Sequence, residues 1–85
     1  MTTKQVAINL IKYDVLRGNS FDTIKRSQHG AFCKESGAMI GGYYKGKKLS
    51  DKIIVNRVNG KDIEPEIFNL KEIFNESQKE QQTLI

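Results

Sequence analysis

The sequence has one cysteine, Cys33, and one histidine, His29, so no disulfide can form within the chain, and these two residues alone cannot complete a structural zinc site. A reducing compartment is the expected setting, and the protein is read as cytoplasmic. There is no tryptophan, and the one proline, Pro65, leaves no proline-rich linker at which to divide the chain. Long apolar runs are also missing. Asn9, Lys12, Asp14 and Arg17 interrupt the first 20 residues, which fits neither a secretory h-region nor a membrane span. Without a secretory route, the sequon Asn75-Glu76-Ser77 is a chance match.

What is present suffices for one small core. The chain has 85 residues, 38% of them hydrophobic, and a domain of this size buries about 60–65% of its unfolded surface. One compact domain is expected over residues 1–76, followed by a flexible polar tail over 77–85. Charge divides along the chain: residues 1–62 hold 12 Lys/Arg against 5 Asp/Glu, and residues 63–85 hold 2 against 5. A basic body suits an anionic partner, although ordinary solubilising charge would give the same numbers.

Thr2-Thr3-Lys4-Gln5 has capping-box spacing, and Val6, Leu10, Tyr13 with Ala7 and Ile11 fall on adjoining helical rows up to Gly18. A helix is predicted over about 3–17, with Ile8 and Val15 off its main stripe. Ser20 caps a short second helix containing Phe21 and Ile24 and ending near Ser27. Residues 28–30 read as a break, and residues 31–44 as a hairpin with a Ser36-Gly37 turn. Lys52–Val58 is rich in β-branched residues and closes on Asn59-Gly60, a pair suited to a type I′ turn. It is predicted to be a central strand, Ile53 and Val55 on one face and Ile54 and Val58 on the other. Pro65 among acids, then Ile63, Ile67, Leu70 and Phe74, predicts a helix over about 65–76.

The fold class that follows is α+β: an N-terminal helix, a short second helix, a three- to four-stranded antiparallel meander and a C-terminal amphipathic helix. The alternative makes residues 30–38 a third helix and residues 40–58 a wing, giving a winged helix-turn-helix. Gly37, Gly41 and Gly42 argue against it, because glycines suit turns better than the end of a recognition helix.

The most localised polar feature is Gly41-Gly42-Tyr43-Tyr44-Lys45-Gly46-Lys47-Lys48. Lysines neutralise phosphates, tyrosines offer faces to unpaired bases, and glycines let a backbone approach closely. Tyr43, Tyr44, Lys45, Lys47 and Lys48 are therefore the candidate nucleic-acid contacts. Arg57 and Lys61 join them if the strand ending at Val58 pairs with the one ending at Tyr44, and Lys25 and Arg26 would extend the patch. The plainer reading is a hairpin tip whose lysines only block edge-to-edge pairing.

Other chemistry finds little support. The segment lacks the spacing and the Ser/Thr of a phosphate-binding loop, and no strand–helix context makes Gly37–Gly42 a dinucleotide fingerprint. His29 and Cys33, four apart, are the only Cys–base pair, but Cys33 beside Ala31 and Phe32 reads as a small buried hydrophobe. Asp14, Asp22, Glu35 and Asp51 form no fixed pair. No enzyme activity, cofactor or metal is expected. The leading expectation is a small regulatory protein that binds nucleic acid, either DNA or RNA. The second is a protein-binding module, an inhibitor or accessory subunit, occupying an acidic partner protein through a sheet edge or helix face. Self-association as a homodimer would use the same surfaces.

Overall fold

The computed structural model of the protein describes residues 1–26, 37–41 and 43–83. The expectations for residues 27–36, including the His29–Cys33 pair and the third helix of the alternative fold, lie outside the described residues, as do Gly42 and residues 84–85.

Helix α1 spans Thr3–Leu16. The Thr2 hydroxyl accepts from the Gln5 N–H at 3.1 Å, while the Gln5 side chain donates forward to Asn9 Oδ1 at 3.0 Å rather than closing the capping box. At the other end Gly18 has a φ of +81°, and its N–H and that of Asn19 donate to Val15 O and Asp14 O, a Schellman ending. Val6, Ala7, Ile8 and Ile11 are buried, with Leu10 and Val15 packed beside them. The predicted stripe is therefore rotated: Ile8 belongs to the core, and Tyr13 is 67% exposed. Helix α2, Phe21–Lys25, is capped by Ser20, whose hydroxyl accepts from the Thr23 N–H at 3.2 Å.

Among the described residues five strands follow: β1 Ala38–Ile40, β2 Tyr43–Tyr44, β3 Lys47–Lys48, β4 Lys52–Val58 and β5 Lys61–Asn69. β1, β4 and β5 form an antiparallel sheet with β4 in the centre, and β2–β3 form a separate two-stranded hairpin. Asn59 and Gly60, with φ of +53° and +78°, make the β4–β5 turn.

Strand β5 and helix α3, Leu70–Thr83, correct the sequence prediction at this end. The predicted helix start at Pro65 lies inside a strand, and Ile67 pairs with Ile54 across the sheet. The helix begins only after Asn69, whose side-chain oxygen accepts from the Lys71 and Glu72 N–H groups at 3.0 and 3.3 Å. It then runs seven residues beyond the predicted end at 76, so residues 77–83 are helical, with Ser77 wholly buried. Its core stripe is Leu70, Ile73, Phe74 and Ser77.

Both long helices lie against the sheet face that carries Ala38, Ile40, Ile53, Val55 and Phe68. Each of the fully buried Ile and Leu side chains contributes roughly 1.5–3 kcal/mol of burial free energy. The Phe21 and Phe74 rings meet edge to face at 5.7 Å and Lys71 Nζ sits over both, docking α2 onto α3. Val58 packs with this core rather than sharing a face with Ile54. The reason is a β-bulge: the N–H groups of Asn56 and Arg57 both donate to Gly37 O, at 3.0 and 3.2 Å, which resets the alternation after Val55. Against β5 the register also slips, with Asn56 opposing Ile63, Glu64 and Pro65. A proline has no N–H to give a ladder and is tolerated at such an irregularity.

Candidate nucleic-acid interface

The β2–β3 hairpin leaves the sheet between two strands that are themselves paired. The last β1–β4 pair is Ile40 with Ile53, and the Gly41 N–H donates to Lys52 O at 2.9 Å. Gly41 and Asp51, with φ of +72° and +64°, turn the chain out of the sheet and back into it. The arm between them closes on Lys45-Gly46, both at positive φ, as a two-residue type I′ turn requires.

Side chains alternate across this arm. Tyr43 pairs with Lys48 on one face and Tyr44 with Lys47 on the other. Tyr43 is 70% exposed, a large aromatic surface left in water. Tyr44 is half-buried and has Lys45 Nζ over its ring at 5.4 Å, so the chain itself occupies one of its faces. Lys45, Lys47 and Lys48 are exposed, and no described residue of the arm belongs to the apolar core. The five predicted contacts of the arm therefore stand together, and Tyr43 is the aromatic with open surface.

The arm's base meets α2 at a cleft of about 280 Å³ lined by Lys25, Ile40, Gly41, Lys48, Ser50 and Asp51. Lys25 Nζ lies 3.0 Å from Asp51 Oδ1 across it. Lys25 thus joins the patch, as the sequence suggests, while Ser50 and Asp51 were not among the sequence's candidates. Their signal was a Ser-Asp pair just ahead of the strand, which reads as a turn and carries no chemistry by itself.

Arg57 and Lys61 do not join the arm. The condition for including them fails, because β4 pairs with β1 and β5 and not with β2. Arg57 sits at the far end of β4 and Lys61 opens β5 opposite Val58, roughly 20 Å away at the rise of a strand. There the Arg57 Nε donates to Asp62 Oδ1 at 2.9 Å, its side chain 24% exposed. A second cleft, against α3, carries Lys4 and Lys79 alongside Glu72 and Glu76, with Lys4 Nζ 3.9 Å from Glu76 Oε2. Its charges balance and give it no attraction for an anion.

Among the described residues no three His, Cys, Asp or Glu side chains are grouped as metal ligands, and no helix is long and apolar enough to cross a membrane. In comparisons with protein-family models, curated proteins and solved structures, the chain finds no significant match.

Proposed function

We propose that this chain is a small non-enzymatic regulatory protein that binds nucleic acid through its β2–β3 arm. The observation that carries this reading is Tyr43, exposed on a hairpin that holds Lys45, Lys47 and Lys48 and adds nothing to the core. Lysines would neutralise phosphates, releasing counterions, and the tyrosine would offer a stacking face. A hairpin kept only to block edge pairing needs charge but has no use for an exposed aromatic ring.

The test is a titration of labelled single- and double-stranded oligonucleotides at two salt concentrations. Binding should weaken steeply with salt, and the double substitution Lys47→Glu with Lys48→Glu should abolish it while the protein stays folded. Unchanged binding by that folded double mutant removes the arm from consideration.

A protein partner is the second reading, favoured by Tyr13 and Leu16, which expose 67% and 53% of their surface near the end of α1. Docking there would be far less sensitive to salt, and Tyr13→Ala would weaken it while leaving nucleic-acid binding intact.

A further inference from the structure

We infer that the arm and the cleft at its base form one site for an unpaired nucleotide, the base stacked on Tyr43 and the neighbouring phosphate held by Lys48 and Lys25, with Asp51 as a competing anion. The inference rests on the nucleic-acid reading above and narrows it to single strands. Tyr43 and Lys48 stand directly opposite each other on one face of the arm, where Cβ atoms lie about 5 Å apart. Lys48 also lines the cleft, together with Lys25 and Ser50. One side chain therefore lies both opposite the exposed ring and on the cleft that holds a second lysine.

The aromatic decides the strandedness. In a duplex the base faces are stacked on one another, so an exposed tyrosine ring finds a partner only where a base is unpaired. Duplex binding would use the lysines and leave Tyr43 idle. Asp51 sets the strength of the phosphate contact. Its carboxylate holds Lys25 at 3.0 Å across the cleft, so an arriving phosphate must compete with it for that ammonium. Asp51 has a φ of +64°, a conformation that asparagine adopts as readily, so Asp51→Asn removes the charge and leaves the backbone as it is.

The experiment measures binding of labelled oligo-dT, oligo-rU and a blunt duplex of the same length to the full chain and its variants by fluorescence anisotropy. Both single strands should bind more tightly than the duplex. Tyr43→Ala should cost roughly ten-fold or more on the single strands and nothing on the duplex, and Tyr43→Phe should restore the loss. Asp51→Asn should tighten single-strand binding roughly two- to five-fold at low salt and steepen the salt slope by about 0.7. Equal affinity for both strand forms with a silent Tyr43→Ala overturns the inference, and so does Asp51→Asn that changes neither affinity nor slope. If that outcome comes with binding still lost in the Lys47→Glu, Lys48→Glu pair, the broader reading stands without this one. No binding of any oligonucleotide by the unmodified chain overturns both.

Discussion

Gly37 carries a constraint that no other described glycine shares. It sits at a φ of +73° opposite the bulge in β4, and a Cβ added there would run into the carbonyl oxygen of Arg57. A side chain would need both a left-handed backbone and a parting of β1 from β4. Gly37→Ala should therefore destabilise by roughly 2–4 kcal/mol. Gly60 has a similar φ of +78° with nothing near its missing Cβ, so Gly60→Ala should cost only about 1–2 kcal/mol, the conformational term alone. Urea unfolding of the two variants separates these values, and equal losses would mean the close approach does not exist. The sequence marks Gly37 as a turn glycine but cannot show what lies across from it, since the contact joins residues 20 apart along the chain. The positive φ of Lys45, within a hairpin tip the sequence does suggest, is not legible for another reason. Lysine has no preference for positive φ, and its place in the type I′ turn follows from the alignment of Tyr43 with Lys48 rather than from its own chemistry.

Among the elements, the boundary between β5 and α3 departs furthest from the sequence prediction, and the cause is a degeneracy of spacing. Ile63 and Ile67 are four apart, which places them on one face of a helix and equally on one face of a strand. Two signals in the sequence resolve it. A type I′ turn at Asn59-Gly60 requires a return strand immediately after it, and Asn69-Leu70-Lys71-Glu72 has the cap-and-acid spacing of a helix start. Energies should divide at the same boundary. Leu70→Ala should cost about 2–5 kcal/mol as a fully buried core residue, Asn69→Ala about 0.5–2 kcal/mol as a lost cap, and Ile67→Ala only about 1–2 kcal/mol, since Ile67 keeps 40% of its surface exposed. A large loss at Ile67 with a small one at Leu70 would restore the helix over 65–76. Within α3, the Ser77 hydroxyl is buried with no hydrogen-bond partner among the described residues. Ser77→Ala should accordingly be neutral or stabilise by up to about 1 kcal/mol in the same assay; a clear loss would show that the hydroxyl has a partner. By contrast the bounds of α1 and β4 and the start of α2 are legible almost to the residue, because each carries its own signal: Thr2 and Gly18, Asn59-Gly60, and Ser20.

Over the whole molecule, the described basic residues divide between the two ends of β4: the arm's lysines and Lys25 at one, Arg57 and Lys61 at the other. The lysines of the β2–β3 arm and Lys25 lie at one end of β4, whereas Asp62, Glu64 and Glu66 sit exposed on β5, toward its other end or along its length. The sequence showed the basic cluster because the arm is a local hairpin whose residues are contiguous. It misplaced Arg57 and Lys61 because their position depends on which strands pair, a long-range choice that local composition does not encode. The difference gives a test of position that total charge cannot mimic. Lys61→Glu and Lys48→Glu change the net charge by the same amount, so a protein attracting nucleic acid by overall field would lose affinity equally with either. If contact is made by the arm, Lys48→Glu should weaken binding steeply and lower the salt slope, and Lys61→Glu should change affinity by less than about two-fold at physiological salt, where the Debye length is about 8 Å. The unmodified chain should show a log–log salt slope of about −2 to −3 on single strands, the value for three or four neutralised phosphates. Equal losses from the two reversals, or a slope near zero, would show that the arm is not the contact and that its lysines only keep the hairpin from pairing with another edge.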